Sequence, residues 1–351
     1  MAVSVHSSLE GLSALDLEIL SYKNQKNLFY SIEWFRCLSE FAARERASIR
    51  VYVVARDDDP SQKCYLFCYC ERGGRRLLSL SNFYTMEFSP IFSGPACRRS
   101  ELLSELLLHI ARERPACVYL NLRLLLADRE ETTELAKSIE AAGFQVNRYF
   151  QFENYYAQTK GADFLTYYNA RPSQVRNTIK RKLGKLKRTH RFAVRIVSTD
   201  DDRALRDYLE VYAHSWKDLE QYPDFMRELC RLGARLGLLR IGVLYVEDAP
   251  VAAQIWLMSG SKAIIYKLAY HESFKEFSVG SILTKEMLEL VLQDGQVEEI
   301  DYGVGSEPYK RDWMEDKRVL IGLEGFNRRT VLGSMMALAW IMGRFLRRRI
   351  M

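Results

Sequence analysis

A chain of 351 residues, 48% hydrophobic and 27% charged, is long enough for two ordinary domains with a core each, and its composition excludes a disordered or low-complexity polymer. The formal net charge is only +6, so the molecule is no general polycation. The excess is local: residues 171–191 hold nine Lys/Arg and no acidic residue.

In chain order, a helix is expected over 31–44, followed by strand signals at 50–56, 64–71 and 77–81, separated by the turn-rich DDDPSQ and RGGRR. The middle strand carries Cys64, Cys68 and Cys70. With seven cysteines in all, an odd number, and no apolar targeting stretch at the N-terminus, the reading is reduced core thiols in a reducing, cytoplasmic compartment. The five histidines show no ligand spacing, so no metal is expected. An amphipathic helix follows at about 100–113, then a strand at 117–123. The start of that helix, FSGPACRRSE (92–101), contains Pro95, which lacks an amide that an anion would need.

The basic stretch comes next. Pro172 suits a first helical turn, and Val175, Ile179, Leu183 and Leu186 form one apolar stripe. The remaining faces carry Arg176, Lys180, Arg181, Lys182, Lys185, Lys187 and Arg188. A solvated face normally mixes both signs, so this helix is read as recognising phosphates, whether of a cofactor, an anionic substrate, nucleic acid or lipid. Helices are then expected at 201–216 and 224–236. Strands at 238–247, 251–258 and 263–270 are joined by connections short enough to force antiparallel neighbours. A helix over 280–294, stopped by Gly295, leads to a strand at 297–302. Both halves therefore read β-β-β-α-β, an α+β plan in which each half is a mixed, mainly antiparallel sheet flanked by helices. The expected domains are 1–157 and 158–328, with a tail at 329–351. Within that tail, residues 331–343 are almost wholly apolar and lie between Arg328–Arg329 and Arg344, Arg347, Arg348 and Arg349. The run is shorter than the roughly 20 residues of a spanning helix. It is read as a helix docked on the body or resting on an anionic leaflet.

Two segments concentrate chemistry. In FKEFSVGSIL (274–283), Ser278, Val279, Gly280 and Ser281 open a helix whose first-turn amides lack internal partners. Such a start either caps itself or holds a diphosphate. In DYGVGSEPYKRDWM (301–314), Gly303 and Gly305 break a strand and expose Asp301, Glu307, Tyr309 and Lys310 beyond it. These groups either serve acid–base chemistry or pin the loop, with Asp301 paired to Lys310 and Trp313 filling core. No nucleophile elbow, P-loop or dinucleotide fingerprint is present.

The segments SFKEFSVGSILTKEMLE and EEIDYGVGSEPYKRDWM resemble the C-terminal half of the GNAT acetyltransferases related to cellulose-biosynthesis (CelD-type) proteins, themselves relatives of the FemABX aminoacyltransferases. NLFYSIEWFRCL (27–38) and RPSQVRNTIKRKLGKL are similar to that family's N-terminal and central helices, so the resemblance spans about 25–325. Val279 stands where the family usually has Pro, and the tail lies outside the shared region. The resemblance implies tandem GNAT-like domains, the first without a donor site, and N-acylation of an amine from acyl-CoA, acetyl-CoA or an acyl carrier protein. Under it Ser278–Ser281, with Arg176 and Arg181, would hold the donor. Asp301 or Glu307 would be the base, Tyr309 would protonate the sulfur, and Lys310 would stabilise phosphate or oxyanion. Its FemABX branch implies an alternative aminoacyl-tRNA donor. A third possibility is an inactive scaffold binding an anionic polymer or the inner face of a membrane.

Overall fold

The computed structural model describes residues 1–293, 295–305 and 307–350, and of 344–350 the backbone alone. The chain forms two compact units, Met1–Phe152 with Arg318–Met351, and Glu153–Lys317.

The first unit runs through β1 (Ala2–His6), short helices α1 (Ala14–Ile19) and α2 (Tyr22–Gln25), α3 (Ile32–Phe41), β2 (Ser48–Ala55), β3 (Lys63–Glu71), β4 (Arg76–Ser79), β5 (Ile91–Phe92), α4 (Arg99–Arg112), β6 (Tyr119–Leu126), α5 (Glu130–Ala141) and β7 (Phe144–Gln158). β1, β2, β3 and β4 pair antiparallel in sequence, and β6 joins β4 in parallel. β3 is buried from Lys63 to Cys70, as a central strand covered on both faces must be. Six of the seven cysteines are buried, and none is in a disulfide. Ser31 caps α3 by accepting from the Trp34 amide at 3.2 Å, and Phe35 stacks on Phe67 of β3 at 4.0 Å.

The second unit begins within β7 and continues through α6 (Phe164–Asn169), α7 (Ser173–Thr189), β8 (Phe192–Val197), α8 (Asp202–Ala213), α9 (Pro223–Arg235), β9 (Leu239–Val246), β10 (Ala249–Ser259), β11 (Lys262–Tyr270), α10 (Val279–Val291) and β12 (Glu299–Val304). β8 to β11 form an antiparallel meander, β12 lies parallel to β11, and the end of β7 pairs antiparallel with β12. α10 packs its Val279, Ile282, Leu283 and Met287 into the core of this unit. It comes close because Gly242 of β9 has no side chain: a methyl there would meet Met287 Sδ at 2.5 Å. After β13 (Asp316–Asn327), the chain ends in α11 (Val331–Ile350).

The strands and helices expected from the hydrophobic patterns are present, including α7, whose stripe residues Val175, Ile179 and Leu186 are buried; β1, β5, β7, β8, β13 and α5 were not expected. Residues 318–328, grouped from sequence with the second half, belong instead with the first unit, because β13 pairs antiparallel with β6. The tail helix is not simply docked. Ala337 is buried, but Val331, Met335, Leu338 and Met342 are exposed, one stripe along its length. The side chains of the final arginines lie outside the described residues. Among the described residues no helix is long and apolar enough to cross a membrane.

One buried ion pair fixes the first unit locally. Lys63 Nζ donates to Asp16 at 2.6 Å, and the Tyr65 hydroxyl donates to the same carboxylate at 2.8 Å. Burial pushes the Asp16 carboxyl up, but bonds from Lys63, Ser13 and Tyr65 outweigh it and hold the group below its ordinary value. A carboxyl lowered by folding adds stability that is complete above its unfolded value, about 3.9, and is lost as pH falls through its folded value. Asp16→Asn should therefore cost about 3–5 kcal/mol at pH 7 by stranding a buried lysine. In urea denaturation, the gap between variant and parent should shrink as pH drops below about 4.

Candidate active site

The parallel pairing of β11 with β12 covers only Lys262–Ile264 and Glu299–Asp301. Both strands continue past it. Leu268 and Tyr270 of β11 and Tyr302 of β12, all beyond the paired stretch, line a cavity of about 630 Å³ within the second unit. The first turn of α10 forms another wall, through Ser278, Gly280, Ser281 and Thr284.

That turn is held from behind. Gln254 of β10, fully buried, donates to the Gly280 carbonyl at 3.0 Å and to Thr284 Oγ1 at 2.8 Å, while accepting from Trp256 Nε1 at 2.8 Å. With the carbonyl side committed, the amides of Val279, Gly280 and Ser281 are left as the open end of the helix. Ser278 precedes them in a left-handed conformation (φ 53°) and makes no side-chain cap. Gly280 is buried rather than at an open surface. A Cβ there would lie 3.1 Å from the Tyr270 ring, so the missing side chain is what lets the ring and the helix share the cavity wall. Val279 sends its side chain into the core and offers only backbone to a ligand.

Of the four acid–base candidates, two face the cavity and two turn away. Glu307 and Tyr309 line it. Asp301 is buried, and its Oδ1 accepts from Asn154 Nδ2 at 2.6 Å and from the Gly303 amide at 2.7 Å. It holds the strand at its bend. Lys310 is also buried. Its Nζ donates to the Val304 carbonyl at 2.5 Å and pairs with Glu307 at 2.8 Å, so it ties the glycine turn to the carboxylate and does not pair with Asp301. Trp313 is buried at the cavity wall, with Arg171 Nη1 and the Tyr167 hydroxyl both donating to its carbonyl at 2.6 Å.

The charges follow from these contacts. Burial raises the Glu307 carboxyl, but the hydrogen bond and charge of Lys310 overcome it and leave the group below its ordinary value. Burial, with the charges of Glu307 and Tyr270, pushes the Tyr309 hydroxyl well up, so it stays protonated at neutral pH. Arg176 and Arg181 do not line the cavity. Arg176 Nε donates to the Arg171 carbonyl at 3.1 Å, and Arg181 is exposed. α7 reaches the loop before α10 through other residues, Lys182 and Lys185, whose ammonium groups bond Glu276. Lys275, Trp216 and Glu272 also line the cavity, and sequence reading missed all three as site residues. Their only signal was position, in the segments flanking β11 and α8.

One cavity thus brings together an open helix N-terminus, a carboxylate and a phenol. Residues 173–311 match the family model of the acetyltransferase (GNAT) domain. The match takes in α7 to β12, the loop before α10 and the start of the loop after β12, so the second unit is similar to that domain over most of its length. FemX has the same fold over 91% of this chain and 97% of its own, with a TM-score of 0.58 at 10% identity. A tandem GNAT protein from the clavulanic acid biosynthesis pathway covers 92% of this chain and 98% of its own, with a TM-score of 0.51 at 11% identity. A conserved protein of unknown function from Bacteroides thetaiotaomicron VPI-5482 covers 93% and 99%, with a TM-score of 0.57 at 10% identity. At these identities the likeness is one of fold alone, and it is the α+β tandem GNAT fold expected from the sequence. No curated protein matches the sequence. Among the described residues no cluster could hold a metal.

Lys310→Met removes the donor from two carbonyls and the counter-charge from Glu307. It should lower stability by about 1–3 kcal/mol and let the Glu307 carboxyl titrate at higher pH. NMR titration with the side-chain carboxyl assigned would read the second effect.

Proposed function

We propose that the chain is an acyl-CoA-dependent N-acyltransferase of the CelD-type branch of the GNAT fold, acting on an amine in envelope or polysaccharide metabolism. The observation that carries this reading is the first turn of α10, open to the same cavity as Glu307 and Tyr309. The donor diphosphate would take the amides of Val279, Gly280 and Ser281, where backbone donors and the helix dipole favour an anion. Lys275 adds a charge beside them. Arg181, on the exposed face of α7, would meet phosphates farther along the donor, with Arg176 supporting that face from its half-buried position.

Transfer is direct in this reading. The amine nitrogen attacks the thioester carbonyl carbon while Glu307, through water, takes its proton. As the C–S bond breaks, the thiolate receives a proton from Tyr309. Asp301 and Lys310 act by holding the strand bend and the Glu307 carboxylate. An acyl carrier protein could present the same thioester. The exposed cations Lys180, Arg181, Lys187 and Arg188 support a second donor, aminoacyl-tRNA, whose binding would weaken steeply with salt. An inactive scaffold would bind no donor and turn nothing over.

Tyr309→Phe should keep acetyl-CoA affinity in calorimetry and slow turnover by about 10²–10⁴-fold. Gly280→Leu must drive the Tyr270 ring into the cavity and should abolish that binding. A parent-like affinity in a folded Gly280→Leu protein would move the donor site elsewhere.

The exposed stripe of α11, followed in sequence by Arg344, Arg347, Arg348 and Arg349, supports a peripheral position on an anionic, cytoplasm-facing membrane surface. Met335 and Leu338 are 63% and 59% exposed, so replacing both with Glu should leave the fold intact. Co-sedimentation with anionic liposomes should then fall to the level seen with neutral ones.

A further inference from the structure

The cavity lining mixes two chemistries. One is the α10 N-terminus with Lys275. The other is aromatic and acidic. Trp216, 44% exposed, packs against Tyr270 with ring centroids 4.5 Å apart. Tyr309, 37% exposed, meets Tyr302 edge to face at 5.7 Å. Glu272 and Glu307 line the same space. Aromatic faces carry partial negative charge and attract cations. The rings and carboxylates together disfavour phosphates and carboxylates beside them, which leaves the amides of the first turn of α10 for the donor's anionic part.

Among the described residues four ammonium groups stand close by, and three are committed. Lys267 is paired with Glu220 at 3.0 Å. Lys310 is bound to Glu307 and the Val304 carbonyl. Lys217 donates to the Leu268 carbonyl at 2.7 Å and lies 5.4 Å from the centre of the Trp216 ring, which shows that this ring already takes a cation. Lys275 precedes Ser278 on the loop that starts α10.

We propose that the acceptor is a small alkylammonium, a primary amine on a saturated chain with no adjacent carboxylate, held as a cation over Trp216, Tyr270 and Tyr309 with Glu307 as counter-charge. This rests on the transferase reading above. The nitrogen sheds two protons. One leaves the ammonium to solvent through Glu307 before attack. The other leaves once the C–N bond has formed, matched by the proton Tyr309 gives the departing thiolate and recovers from solvent. Ammonium and thioester thus become amide, thiol and one released proton.

The test separates the two claims by binding alone. Choline is a cation that cannot be acylated on nitrogen, and 3,3-dimethylbutanol is its neutral isostere. In calorimetry on the full chain choline should bind roughly tenfold tighter than the alcohol. Trp216→Leu should erase that preference, while Tyr309→Phe, which keeps the ring, should retain it. Acetyl-CoA affinity should change less than twofold in Trp216→Leu. Among transferable amines, n-butylamine should be acylated in preference to 4-aminobutanoate. Equal affinity for choline and the alcohol would overturn the proposal. So would loss of acetyl-CoA binding in Trp216→Leu, which would give the aromatic lining to the donor. Absence of acetyl-CoA binding in the parent, with the choline preference intact, would instead remove the transferase reading and leave the cation site standing.

Discussion

The second unit depends on a pairing that stops. β11 and β12 bond over three residues each, ending at Ile264 and Asp301, and both run on beyond that point. Backbone groups freed in this way must find other partners. Several partners are polar side chains. Asn154 and Asp301 take up the bend at Gly303, and Lys310 takes the carbonyls of Val304 and Gly305. What remains beyond the pairing is a cavity bounded by two strands and a helix start.

That arrangement makes the loop after β12 more than a connector. Lys310 is buried, and burial lowers its affinity for a proton, yet it stays in place because carbonyls and a carboxylate surround it. The same bond sets the protonation of Glu307. A charged group out of water is tolerated when its partners are fixed, and here they are fixed by the turn they help to form. Geometry and basicity at the cavity are therefore coupled through one ammonium group. The Trp313 carbonyl, bonded by Arg171 and Tyr167, anchors the far end of the same loop.

Much of the fold was legible because hydrophobic period carries it. β3 and β10 are long apolar runs, and α7 shows its stripe despite its charge. Three of the elements that escaped had diluted patterns. β7 mixes aromatic and polar residues because most of it is half-buried. β8 alternates weakly in burial, and α5 buries Thr132 and Ser138 beside Leu135 and Ile139, which thins its stripe. At the site, the residues singled out at Ser278–Ser281 and the Glu307–Tyr309 pair line one cavity. Direction was not readable. Whether Asp301 and Lys310 point in or out is decided by where the strand bends, and a linear sequence does not show that Asn154, nearly 150 positions earlier, waits for the carboxylate. Trp216 and Glu272 were invisible for the same reason.

The two units share an order of elements but differ at one helix terminus. α4 occupies in the first unit the place that α10 holds in the second, after three antiparallel strands. Its start is preceded by Pro95 and carries Glu101 in the first turn, paired with Arg56 at 2.9 Å. An acidic side chain near a helix start satisfies the dipole from within, leaving little for an outside anion to gain. α10 has no acidic residue in its first turn, and its glycine admits a ring where a side chain would stand. With the same plan on both sides, the chemistry of a single turn separates a helix that closes its own end from one that leaves it open.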